Sequence, residues 1–176
     1  MKYFFIIGLF IASNSLKGQW IEYSSKESSF TVSVPFEMDH KEDLFLTDMG
    51  QIVFHSYRCT PGKDDRNAIY MVHHYSYPDS LLSLDTTGLI QELFQATIEE
   101  SVKNLVGQLD YSTDVHYEEH PGILYRIKYN NGKAVVKSKA YVIEDEFYVL
   151  QVFATVDNSI NDTMDVFLDS FRIDRR

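Results

Sequence analysis

Residues 123–156, ILYRIKYNNGKAVVKSKAYVIEDEFYVLQVFATV, decide the fold. Ile123, Tyr125, Ile127 and Tyr129 fall on one side of an extended chain, the period-two pattern of a half-buried strand. Asn131-Gly132 is the strongest short hairpin signal in the sequence, because both central positions of a type I′ turn need positive φ. The chain returns as Ala134 to Ile143 and turns again at Glu144-Asp145-Glu146. Phe147 to Val156 is then apolar on both sides, which predicts a strand covered on each face at the centre of its sheet.

The pattern extends outward from there. Upstream, Leu109, Tyr111, Val115 and Tyr117 alternate with Asp110, Ser112, Asp114, His116 and Glu118, and Pro121-Gly122 predicts the turn that completes a four-strand meander. One helix precedes it at about residues 87–106, capped by Asp85 or Thr86 and closed by Gly107. Leu89, Ile90, Leu93, Phe94, Thr97, Ile98, Val102, Leu105 and Val106 lie near helical spacing and make its apolar stripe. Trp20 to Tyr23 and Phe30 to Val34 read as a first pair of strands ended by Pro35, residues 37–48 as an acidic surface loop, and Gln51 to Cys59 and Ala68 to Tyr77 as two more strands. Ser159-Ile160-Asn161-Asp162 has the form of a capping box before a short last helix, whose buried stripe is Ile160, Met164, Phe167, Leu168 and Phe171. Strands grouped on both sides of one helix and joined by hairpins predict the α+β class with a mainly antiparallel sheet.

The first nineteen residues read as an address. Met1-Lys2 is positive, Tyr3 to Ala12 is apolar, and Ser13 to Gln19 is small and polar, which is the layout of a secretory signal peptide over residues 1–19. Its apolar run is too short to span a bilayer. The expectation is an exported protein, periplasmic or extracellular, with no transmembrane anchor after signal cleavage and a single domain over residues 20–176. The chain has 176 residues, 14% of them aromatic, too many for a disordered segment. Removing Lys2 and Lys17 with the signal changes the formal charge from −10 to −12, with 14 Lys and Arg against 26 Asp and Glu. That balance excludes a nucleic-acid binder that works by neutralising phosphates. The single Cys59 excludes an internal disulfide and any multi-cysteine metal site, and suits a buried small hydrophobe.

Several stretches together resemble the PsbP-like domain superfamily, named for an extrinsic photosystem II subunit and found widely in secreted bacterial proteins of unknown role. They are Phe30-Thr31-Val32-Ser33-Val34-Pro35, the strand around Tyr70 to Tyr77 closing on Pro78, the helix, Tyr148 to Val152, and the ending Phe167 to Phe171. The match covers about residues 28–173 in order of elements. The resemblance implies an α/β/α sandwich around a mainly antiparallel sheet, with one long central helix and a short C-terminal helix. It also implies a non-catalytic assembly or binding role, and it carries over no active site.

Among constellations with chemistry, His116-x-Glu118-x-His120 is the sharpest. On one strand these three side chains share a face, with Cβ atoms roughly 6.5–7 Å apart, and imidazole with carboxylate suits zinc or another divalent ion. The same face is polar from Asp110 onward, so a solvated sheet face, with Glu118 set opposite Arg126, explains them more economically. The Asn131-Gly132 hairpin sets Arg126 opposite Lys137, with Lys128 and Lys139 on the same face. This basic stripe suits an anionic ligand or protein, or is neutralised by the acids at Asp110 to Glu118, the simpler account. His73 and His74 point to opposite faces of a strand and cannot chelate together; one of them, like His55, reads as a core histidine. The Tyr and Phe content would also line a cavity for a small apolar molecule, although aromatic core packing accounts for it. No nucleophile elbow, P-loop, His-Glu-x-x-His or dinucleotide fingerprint occurs. The expectation is an exported, non-catalytic binding or assembly-accessory protein without cofactor, acting on a protein or envelope component. The alternative is a metal-binding protein or metal-dependent enzyme using His116, Glu118 and His120.

Overall fold

The computed structural model describes residues 20–47, 50–78, 81–82 and 87–174. Residues 1–19, read above as a signal peptide, and the helix cap expected at Asp85 or Thr86 lie outside them. In chain order the elements are β1 (Ile21–Ser25), β2 (Phe30–Val34), β3 (Asp39–Thr47), β4 (Gly50–Cys59), β5 (Asn67–Ser76), α1 (Thr87–Leu105), β6 (Gln108–Tyr117), β7 (His120–Tyr129), β8 (Ala134–Ile143), β9 (Glu146–Thr155), α2 (Asp162–Asp169) and β10 (Arg172–Ile173). All strand pairs are antiparallel. β1, β2 and β10 form a small sheet with β2 in the middle, and the other seven run in the order β3-β4-β5-β9-β8-β7-β6.

β9 sits between β5 and β8 with every residue from Phe147 to Val152 buried, because its side chains meet packed layers on both faces. On one face the small sheet and α2 close over Tyr57, Tyr70, Leu150 and Val152 with Phe30, Val32 and Phe167. On the other, Ile90, Phe94 and Ile98 of α1 cluster with Ile123, Tyr125, Ile127 and Val136. α1 is seated over β7 and β6.

An α/β/α sandwich with a long central helix is therefore not what forms. The protein is mostly β: strands hold 55% of the described residues, and the helices are a 19-residue α1 toward one flank of the large sheet and an eight-residue α2. The single apolar stripe of α1 is absorbed by one sheet face, whereas much of the second face is sealed by strands. Residues 39–47, whose acidic composition predicts a loop, are the edge strand β3, paired along its length with β4. Only one side of an edge strand needs backbone partners, so its charges stay in water.

Two turns carry opposite lessons. Asn131 and Gly132 have φ of 55° and 78°, and the Lys133 amide donates to the Asn130 carbonyl at 3.1 Å, so Arg126 does oppose Lys137. Pro121-Gly122, in contrast, lies inside β7. The chain turns two residues earlier, with Tyr117 paired to His120 and Glu118 at φ 53°. Gly122 is needed for close approach: a Cβ there would lie 2.4 Å from Tyr141 Cδ1 and 2.6 Å from the Ala140 carbonyl oxygen. At the last helix the cap is Asn161, whose side chain accepts from the Met164 amide at 3.1 Å, and Ile160 lies outside the buried stripe at 89% exposure.

Candidate functional site

In an antiparallel meander alternate turns lie at the same end of the sheet. The β6–β7 turn (Glu118, Glu119) and the β8–β9 turn (Glu144, Asp145) are alternate turns, and Glu27 to Ser29, between β1 and β2, and Ile173-Asp174 reach the same end. Between them is a cleft of about 730 Å³. Glu27, Glu118, Glu119, Glu144, Glu146 and Asp174 line it, with His74, His120, Tyr117 and Tyr148; among the described residues no lysine or arginine does.

Hydrogen bonds hold the rim. The Asp174 amide donates to the Ser29 carbonyl (2.9 Å), the Thr31 hydroxyl to the Asp174 carboxylate (2.9 and 3.0 Å), and the Ile173 amide to the Tyr117 hydroxyl (3.0 Å). Tyr57 shares its hydroxyl with those of Ser25 (2.7 Å) and Ser28 (2.8 Å), and Tyr148 donates to the Ser28 carbonyl (3.0 Å). The β1–β2 turn is thereby fixed onto the large sheet.

His74 forms the base of the cleft and is 3% exposed. Its Nε2 lies 2.5 Å from Glu146 Oε2, and the other oxygen of Glu146 accepts from Ser76 Oγ at 3.0 Å. A carboxylate can only accept, so Nε2 carries the hydrogen. The ring is stacked between Tyr148 (centroids 4.6 Å apart) and His55 (5.6 Å), and His40 Nε2 continues the row 3.0 Å from His55 Nδ1. Burial, with His74 alongside, pushes the His55 imidazole below its ordinary value. The remaining nitrogen of His74, Nδ1, is buried without a hydrogen-bond partner, and so is His120 Nδ1. Among the described residues one other buried side-chain polar atom lacks such a partner, Arg126 Nε, and it lies 3.3 Å from Asp110. Buried polar atoms are normally satisfied. Two of the exceptions converge on one acidic cleft.

The structure separates the expected triad. His116 is exposed on β6, Glu118 is in the turn and His120 opens β7, so they do not alternate along one strand. Among the described residues no group of three His, Cys, Asp or Glu side chains converges as a metal site. The basic residues share the face that α2 covers. Lys128 Nζ and Arg126 Nε reach Asp110 at 2.6 and 3.3 Å, Lys137 Nζ reaches Asp165 at 2.5 Å, and Lys139 pairs with Asp169. Asp110 is the extra residue of a bulge in β6, which lets one carboxylate serve two cations; the Lys128 hydrogen bond holds it below the usual carboxylate range. The other two cations are neutralised by α2 rather than by the β6 acids.

Sequence reasoning missed Glu27, Glu144, Glu146 and the place of His74 in the cleft lining. The available signal was topological: acidic turns at 118–119 and 144–146 are two strands apart and must share an end. Cys59 is buried, and burial raises its thiol above the ordinary value, against a reactive role.

No family model matches the chain, and no curated protein does. Among solved structures it is similar to cyanobacterial PsbP (CyanoP) from Synechocystis sp. PCC 6803, with a TM-score of 0.57 at 10% identity over 89% of this chain and 93% of that one. A protein of unknown function from Pseudomonas aeruginosa, PA94, aligns with a TM-score of 0.38 at 12% identity over 80% of this chain and 86% of that one, too loosely to bear on the fold. The first likeness is one of fold: the chain has a PsbP-like fold. No helix among the described residues is long and apolar enough to cross a membrane.

Proposed function

We propose that the protein is an exported, non-catalytic binding or assembly-accessory domain of the cell envelope, and that it docks a positively charged segment of a protein partner in the acidic cleft. One observation carries this reading: six carboxylates and two imidazoles with unpaired buried nitrogens line a single cleft. Such a site attracts cations over several ångströms and offers hydrogen bonds to an ammonium or guanidinium group. The PsbP-like fold and the signal-peptide layout support the accessory and exported parts of the reading. For the metal-dependent alternative, Glu118 and His120 share the cleft but His116 stands exposed on β6, and among the described residues no three such side chains converge.

Site-specific photocrosslinking in the producing cell tests it. A photoreactive residue at Glu119, exposed on the rim, gives a discrete protein adduct, and the same residue at Asp114, exposed on β6, gives none. Combining the probe with Glu144→Gln and Glu146→Gln abolishes the adduct. Equal adducts from both positions, or none at 119, contradict the proposal.

A further inference from the structure

The opposite face of the large sheet holds a second opening. Because α1 is seated over β7 and β6, its flank and the β5–β9 part of the same face enclose a cleft of about 360 Å³. That is roughly the volume of a dozen waters at about 30 Å³ each, and within the range of small-molecule sites. Tyr75, Tyr77, Phe147 and Phe153 wall it, and α1 contributes the small side chains of Ala96, Thr97 and Ser101, where bulkier residues would close the space.

The base of this cleft is polar. Gln151 and Tyr125 line it with Ser138 between them, in register across β9, β8 and β7 and 8%, 0% and 0% exposed in the order Gln151, Ser138, Tyr125. Their neighbours along each strand are apolar: Val149, Phe153, Val136, Ala140, Ile123 and Ile127. The bonds within the row are long. Gln151 Nε2 donates to Ser138 Oγ at 3.4 Å, and the Tyr125 hydroxyl lies 3.5 Å from Ser101 Oγ, at the outer limit for a hydrogen bond. Ser138 and Gln151 also act on the Tyr125 hydroxyl, and a primary amide with two donors and a two-lone-pair carbonyl still has sites for another partner. Glu100 is the one acidic or basic side chain other than His73 among the described lining residues, and it opposes an anion. Desolvation keeps His73 neutral at ordinary pH.

We propose that this cleft binds a small, neutral aromatic molecule bearing a hydrogen-bond donor, its ring among the four aromatic walls and its donor on the Gln151–Tyr125 base. The site is independent of the acidic cleft, which lies on the other side of the sheet.

N-phenyl-1-naphthylamine, neutral and carrying one N–H, is the probe. Its fluorescence is expected to rise saturably on the purified protein with one-to-one stoichiometry. Ala96→Trp, at an exposed helix position bordering the cleft, fills the space and weakens binding by about tenfold or more with the melting temperature unchanged. Glu100→Lys leaves the neutral probe bound and makes the protein bind its sulfonate analogue, 1-anilinonaphthalene-8-sulfonate, which the natural protein binds weakly. No saturable signal, unchanged affinity in Ala96→Trp, or equal binding of both dyes by the natural protein overturns the proposal.

Discussion

Glu146 stands opposite Ser76 in the β5–β9 register, yet its carboxylate reaches diagonally to His74, with Oε2 2.5 Å from Nε2. The diagonal sets an acid against Nε2 of a buried ring that lines the cleft, while the ring's other nitrogen is buried without a hydrogen-bond partner. This one contact links the sheet register to the proposed docking chemistry.

Glu146→Ala strands the Nε2–H of a buried imidazole and is expected to lower stability by about 1–3 kcal/mol, read by urea unfolding. Glu146→Gln keeps an acceptor and loses no more than about 1 kcal/mol. Equal losses in the two variants contradict the assigned hydrogen bond.

His73 gives the fold a pH dependence. Desolvation lowers its pKa from 6.5 to about 4, so between these values the unfolded chain binds the proton and the folded chain does not. Stability is therefore full above about pH 6.5 and falls as pH drops toward 4. The loss is at most about 3.5 kcal/mol, at about 1.4 kcal/mol for each pH unit. His73→Phe flattens this part of the stability profile; an unchanged slope contradicts the assignment.

Gly122→Ala forces a Cβ against both the Tyr141 ring and the Ala140 carbonyl oxygen. A loss of about 3 kcal/mol is expected in thermal or denaturant unfolding. Tyr141→Ala does not rescue it, because the backbone oxygen remains at 2.6 Å. A neutral Gly122→Ala contradicts the close approach.

Val106 ends α1 at φ 49° and is 89% exposed, an unfavourable conformation for a β-branched residue with no packing in return. Val106→Gly is expected to stabilise the protein by about 0.5–1 kcal/mol, read as a higher melting temperature. A lower melting temperature contradicts this account of the helix end.

The meander was legible because its information is local. Alternating side chains name the faces, and Asn131-Gly132 pins one register to the residue. Pro121-Gly122 misled because a glycine that admits a neighbouring ring looks the same in sequence as a glycine that turns the chain. Residues 39–47 were hidden for a related reason: an edge strand needs only one neighbour and keeps a loop's composition. The position of α1 on one flank and the two-residue β10 depend on contacts distant in sequence, which periodicity does not record. Of the acidic cleft, His120 and Glu118 drew notice for a different chemistry, while Glu27 and Glu146 are assembled with them only by topology.

The most direct test of the acidic cleft is a titration of the purified protein with an acetylated arginine- and lysine-rich hexapeptide, followed through the histidine ring signals by NMR. The ring signals of His74 and His120 are expected to shift saturably at one-to-one stoichiometry, with those of His73 and His116 unmoved. Binding weakens as salt rises through about 0.15 M, where screening acts within about 8 Å. Shifts spread equally over His73, His74, His116 and His120, or none at His74 and His120, contradict the assignment of the cleft as the docking site.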